Sequence, residues 1–300
     1  MNLRRLTPSM SLLLAFESAA RHQSYTRAAA ELSLTQSAVS RQVQALEAFL
    51  GITLFQREGR NVVLTDVGRL YADTLSDALA SIRNATLQAI DYGSGGGTLR
   101  LALLPTFGSK WLLPRLHEFY AANPGVQVHI HSRIHADFSD GQLDAAICVG
   151  DGAWPELTAH PLLDESMVLI ASPAILAAGE PLTPELAARQ LLLQVASHPP
   201  MWTTWFARHG VNSGQLQAGP SFELTSHLIQ AVRAGIGVGL VPQVLVEEEL
   251  RQGQLRTTGT PVASGRTYFL AYPRRNAVLP ALGVFRQWLL DGVANGGECG

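Results

Sequence analysis

Apolar residues recur at spacings of three and four through the first third of the chain, and in short unbroken runs through the rest. The first pattern predicts helices over residues 9 to 21, 25 to 32 and 35 to 50, then a hairpin in ITLFQREGRNVVLT and a long helix from about 66 to 91. GSGGG at 93 to 97 interrupts it as a flexible segment. Beyond it, β-rich runs at 99 to 104, 126 to 131, 144 to 149, 167 to 171, 191 to 195, 236 to 241 and 267 to 272 alternate with helix-length segments at 109 to 122, 201 to 209 and 225 to 234. Such alternation predicts an open α/β sheet.

The third helix carries the first candidate chemistry. Val39, Val43, Leu46 and Leu50 share one stripe, while Ser37, Arg41, Gln44 and Ala48 lie opposite. Ala28, Ala29 and Ala30 before it permit close helix approach, Ser33 and Leu34 make a tight connection, and Thr35 is placed to cap. The outward stripe is short, polar and suited to the major groove, where Gln and Arg can pair with base edges and Ser or Thr can reach bases or phosphates. Thr35, Gln36, Ser37, Ser40, Arg41 and Gln44 are therefore candidate DNA contacts, with Arg57 and Arg60 near the hairpin tip for phosphate or minor groove. A solvated helix face followed by an ordinary hairpin reads the same way in isolation. On the long helix, Val67, Tyr71, Thr74, Ala78, Ile82, Ala85 and Ala89 form a stripe suited to pairing with a second copy or to packing in its own chain.

Charge changes this picture slightly. The chain of 300 residues carries −2 overall, yet residues 1 to 66 hold seven arginines against five acids, which permits nucleic acid without requiring it. Length points to more than one domain. Two cysteines, Cys148 and Cys299, do not make a disulfide framework. No run approaches the length of a membrane span, and MNLRRLTPSMSLLLAF lacks a signal cleavage site, so the expectation is a cytoplasmic protein with no membrane partner.

RHQSYTRAAAELSLTQSAVSRQVQALEAFLGITLFQREGRNVVLTDVGRLY resembles the winged helix-turn-helix of LysR-type transcriptional regulators in order and spacing. TFGSKWLLPRLHEFYAANP, LDAAICVGDGAWPEL and AGIGVGLVP are similar to the effector domain of the subgroup that includes the glycine-cleavage and beta-lactamase regulators. The resemblance covers nearly all of the chain before about residue 292. It implies an α/β protein with an N-terminal all-α winged helix-turn-helix domain and an effector domain of two α/β lobes like a periplasmic binding protein. The expected division is 1–65 for DNA binding, 66–92 for the linker and dimerisation helix, 93–97 for a hinge, 98–292 for the effector domain and 293–300 for a tail. Expected partners are double-stranded DNA with a partly palindromic operator, a small-molecule effector with anions among the candidate classes, and further copies as a homodimer or homotetramer. RNA polymerase is a further candidate partner.

In such a domain the ligand lies between lobes, near strand ends and first helical turns. Thr106 and Phe107 follow the strand ending at Pro105, where a hydroxyl beside free N–H groups suits an anion or carbonyl; a simple N-cap role for Thr106 is the plainer reading and is compatible with it. Ser226 and His227 open a helix in the other lobe; the resemblance supports Thr106 and Ser226, and His227 follows by proximity. Tyr268 is a candidate wall with a polar tip, and Ser132 and Arg133 end a strand where Arg can meet an anion or a surface acid. His129, His131 and His135 invite a metal reading, but no second cluster accompanies them, so no metal and no cofactor are expected. GIGVG follows a helix and enters a strand, the reverse of a dinucleotide loop, and with no nucleophile elbow or paired carboxylates an enzyme is not expected. A transported-solute receptor would need an export signal.

Overall fold

The computed structural model describes residues 6–58, 61–92, 97–139, 141–176, 181–196, 201–211 and 218–296. The chain forms two compact units, the first running to Leu87.

In the first unit, α1 (Met10–His22), α2 (Tyr25–Glu31) and α3 (Gln36–Leu50) precede strands β1 (Phe55–Glu58) and β2 (Asn61–Leu64) and the long α4 (Asp66–Tyr92). Its core brings Phe16, Ala28, Val39, Val43, Leu46 and Leu54 together, so the apolar stripe on α3 is the buried one. The Thr35 hydroxyl accepts from the Ala38 N–H at 3.2 Å, and Ser33 holds the turn at φ 55°. Glu47 on α3 accepts from the N–H groups of Leu54 and Phe55 at 2.7 and 3.0 Å, which ties that helix to the start of the hairpin. Gly68 sits where a Cβ would meet the Leu54 carbonyl oxygen at 2.1 Å, so no larger residue fits without shifting backbone.

On α4 the expected stripe is mixed. Tyr71 turns inward, its ring 5.4 Å from that of Phe16, and Leu75 and Leu79 join the core, while Val67 and Ile82 are exposed together with Leu70, Leu87 and Ile90. None of the helices among the described residues is long and apolar enough to cross a membrane.

A surface cluster joins α1 and α2. Arg21, then His22, with a smaller contribution from Ser18, hold the Glu31 carboxyl down to about 2. A carboxylate depressed on folding contributes stability above its unfolded range and loses it as pH falls through the folded value. Thermal unfolding followed downward from about pH 5 should therefore lose part of its acid sensitivity in Glu31→Gln, modestly because the cluster is exposed. An unchanged pH profile would remove this cluster from the acid response.

The second unit contains β3 (Gly97–Leu103), α5 (Pro105–Phe107), α6 (Leu116–Ala122), β4 (Val126–Ser132), β5 (Ala145–Gly150), β6 (Leu157–Ala171), α7 (Pro184–Ala187), β7 (Leu192–Val195), α8 (Met201–Arg208), β8 (Ala218–Phe222), α9 (Thr225–Arg233), β9 (Val238–Pro242), α10 (Glu247–Arg251), β10 (Arg256–Pro273) and α11 (Pro280–Gly296). One sheet runs β4-β3-β5-β10-β6-β9-β7-β8. Parallel β4, β3 and β5 make one half and parallel β9, β7 and β8 the other. Two long antiparallel strands, β6 and β10, connect the halves, and their pairing shifts register between Ala263 and Thr267.

Several expectations change. The runs at 167 to 171 and 267 to 272 are ends of strands of 15 and 18 residues. The helix expected over 109 to 122 begins at Pro105 and passes through a π turn at Gly108–Leu112 and a 3-10 turn at Leu113–Arg115, because Pro114 cannot donate to a regular ladder. Short β8 and the long α11 were not anticipated, and α11 runs into the stretch read as a tail. Residues 93 to 96 of the expected hinge lie outside the described residues.

Candidate DNA-reading surface and effector cavity

α3 presents Gln36, Ser37, Arg41 and Gln44 to solvent, with the cap Thr35 exposed beside them and Ser40 half-buried. Thr35 and Ser37 hydroxyls lie 3.1 Å apart. Burial of Val39, Val43 and Leu46 on the opposite side fixes which way this face points. Arg57 is exposed on β1, paired in register with Val62 next to the hairpin tip. Arg60 lies outside the described residues.

In the second unit a cavity of about 300 Å³ opens where the two halves of the sheet meet, bordered by Thr106, Phe107, Glu165, Arg266 and Tyr268 among others. Thr106 does not cap its own helix; that position falls to Leu104, which offers no side-chain bond. Instead the Thr106 hydroxyl accepts from the Ser226 backbone N–H at 3.0 Å, satisfying one of the free donors at the start of α9. A hydroxyl carried by the first half thus caps a helix carried by the second.

Behind this bond the wall is aromatic. Trp111, Phe107 and Tyr268 stack in sequence, with centroid separations of 4.9 and 4.5 Å. The Tyr268 hydroxyl donates to Glu165 Oε1 at 3.4 Å, and Arg266 Nε lies 3.7 Å from Glu165 Oε2. Burial, followed by the Glu165 charge, pushes the Tyr268 phenol far above its usual range. Burial likewise pushes the Cys148 thiol, another cavity residue, up to about 11, which keeps it protonated.

The remaining expected positions are placed differently. Ser132 and Arg133 are exposed and do not border the cavity; the backbone turns inward one residue later, at Ile134 and His135. Arg133 continues the strand ladder through its N–H to the Leu103 carbonyl at 3.1 Å, which leaves its side chain on the outside. His227 is exposed on α9, and Ser226 contributes its backbone N–H. Among the described residues no group of three His, Cys, Asp or Glu side chains could hold a metal ion, His129, His131 and His135 included. Trp154, Glu165 and Arg266 were not anticipated as cavity residues. Glu165 and Arg266 lie in the polar stretches DES and SGRT beside the apolar runs, so the sequence carries little signal for them.

A winged helix-turn-helix with a polar outward helix, followed in the chain by a two-halved α/β unit with a lined cavity, defines an effector-controlled DNA-binding regulator. The chain belongs to the LysR family: the profile for the bacterial regulatory helix-turn-helix protein, lysR family, matches residues 10–69, and that for the LysR substrate binding domain matches residues 93–294. It is 37% identical over 287 residues to the glycine cleavage system transcriptional activator of Escherichia coli K12, spanning 94% of this chain and 93% of that protein. It is 31% identical over 284 residues to the transcriptional activator AmpR of Pseudomonas aeruginosa, spanning 94% and 95%. The X-ray structure of the AmpR effector domain from that organism superposes with a TM-score of 0.60 at 26% identity, covering 66% of this chain and 96% of that one. The protein is a LysR-type transcriptional regulator with a C-terminal effector-binding domain, not an enzyme.

Proposed function

We propose that Thr35, Gln36, Ser37, Ser40, Arg41 and Gln44 contact bases of an operator while Arg57 and Arg60 hold phosphates or the minor groove, and that a small effector binds the cavity against Thr106, Phe107 and Tyr268. The observation that carries the second part is the bond from the Ser226 N–H to the Thr106 hydroxyl. It joins the two halves at the cavity, so a ligand competing for either partner alters what holds them together. The two long strands β6 and β10 are the covalent links between those halves and supply the hinge.

Such a ligand changes DNA binding only if it favours one arrangement of the halves over the other, since equal affinity for both shifts nothing. Exposed Val67, Leu70, Ile82, Leu87 and Ile90 on α4 support pairing of two copies, and a two-fold pair matches a partly palindromic operator. Assembly into a tetramer and contact with RNA polymerase belong to the same reading, as does action in the cytoplasm.

A thermal-shift screen of the full chain against amino acids, carboxylates, phosphate and sulfate esters and cell-wall fragments tests the cavity. A ligand at about 100 times its dissociation constant adds roughly 2.7 kcal/mol. That gain should disappear in Thr106→Val; if it survives, the ligand binds elsewhere.

A further inference from the structure

We propose that Glu165, acting through Tyr268, fixes the direction of hydrogen bonding in the cavity, so that the effector is an amide-bearing molecule, neutral or zwitterionic, with its N–H toward Tyr268 and its carbonyl toward Thr106. This rests on the effector-cavity reading above and adds the class of ligand.

A phenol has one hydrogen and a carboxylate has none. Glu165 is 2% exposed, lies at the crossing strands and is flanked by Arg266, and its Oε1 takes the Tyr268 hydrogen at 3.4 Å. With that hydrogen committed, the phenol oxygen offers the cavity only lone pairs. Burial raises the phenol's pKa, which keeps the hydrogen in place across the physiological range. At Thr106 the polarity is opposite: the oxygen already accepts from the Ser226 N–H, and the hydroxyl hydrogen is left to donate. The Tyr268 end of the wall is therefore an acceptor only, and the Thr106 end supplies a donor.

Formal charge narrows the class further. Glu165 and Arg266 offset each other across 3.7 Å and Glu223 adds a further carboxylate to the lining, so the wall does not match a bare anion. Phe107, its ring held between those of Trp111 and Tyr268, backs the phenol with apolar surface. A ligand presenting an acceptor to Tyr268 would set two sets of lone pairs against each other in a buried site, a loss of about tenfold in affinity relative to the amide.

The test uses the full chain and ligand-observed saturation-transfer NMR with three probes of similar shape: phenylacetamide, methyl phenylacetate and phenylacetate. The amide is expected to bind about tenfold more tightly than the ester or the carboxylate, with the signal lost in Thr106→Val. In Glu165→Gln the new amide can donate to the phenol oxygen and turn its hydrogen into the cavity, so the preference for phenylacetamide should collapse. Tyr268→Phe, which removes the acceptor, should erase the same preference and stands in if the first variant does not fold. A merely structural role for Glu165 would weaken all probes together and leave their ratio unchanged, which overturns the proposal. Equal binding of amide and ester that vanishes in Thr106→Val also overturns it, while leaving the cavity reading intact. A signal that persists in Thr106→Val overturns both, and absence of amide binding overturns the ligand class.

Discussion

Replacing Asp144 by Ala is expected to destabilise the second unit by about 3 to 5 kcal/mol, because removing one partner of a buried ion pair strands the other charge. Asp144 is 0% exposed, and its Oδ2 accepts from both the backbone N–H and Nε of Arg100, at 2.8 and 3.0 Å. Its Oδ1 takes a further bond from Arg100 Nη2 at 2.6 Å. The Asp144 backbone adds an N–H to the Arg100 carbonyl at 2.8 Å and accepts from Asn276 Nδ2 at 2.9 Å. This knot fastens β3 to the segment entering β5, directly below the strand ends that carry Thr106 and the cavity. Asp144→Asn keeps an acceptor for the backbone N–H and should cost less than the alanine variant. Urea unfolding monitored by tryptophan fluorescence measures both; a loss below about 1 kcal/mol for Asp144→Ala would mean that water replaces the carboxylate.

Arg41→Ala is expected to weaken operator binding by about 1 to 3 kcal/mol and to relax preference at one base pair, the behaviour of a lost bidentate contact. Its position on α3, opposite buried Val39, Val43 and Leu46, leaves the guanidinium free to enter a groove. The comparison is Arg57→Ala on the hairpin, which should weaken all sequences alike and reduce the salt slope by about one unit. Selection of a duplex from a randomised library, followed by anisotropy titrations at several salt concentrations, separates these effects. If Arg41→Ala left affinity and preference unchanged, the reading face would have to lie elsewhere on the unit.

The two regions differed in how much their sequence disclosed. On α3 a three-and-four spacing defines the buried stripe, and the opposite face follows without knowledge of distant residues. The second unit depends on pairings remote in sequence. Long β6 and β10 were seen only in part, since Pro161, Asp164 and Glu165 break the apolar pattern of one, and Pro261, Gly265 and Arg266 that of the other. AGPSF, with Gly and Pro at its centre, does not look like a strand until β7 supplies its partner. Strand ends and family likeness point to Thr106 and Tyr268. The Glu165–Arg266 pair arises only when the crossing strands bring those residues together, and Arg133, a reasonable anion partner by position, ends on the outer surface.

The most direct measurement is operator affinity with and without a ligand from the thermal-shift screen, in the wild-type chain and in Thr106→Val, with ligand affinity measured in turn with and without operator. A cavity coupled to DNA binding should change operator affinity by a factor of about 5 to 150, with the same factor on ligand affinity when operator is present. Thr106→Val, which also loses the bond to the Ser226 N–H, should bind operator with an affinity that no longer responds to the ligand. A ligand that shifts operator affinity equally in Thr106→Val would contradict control through this cavity.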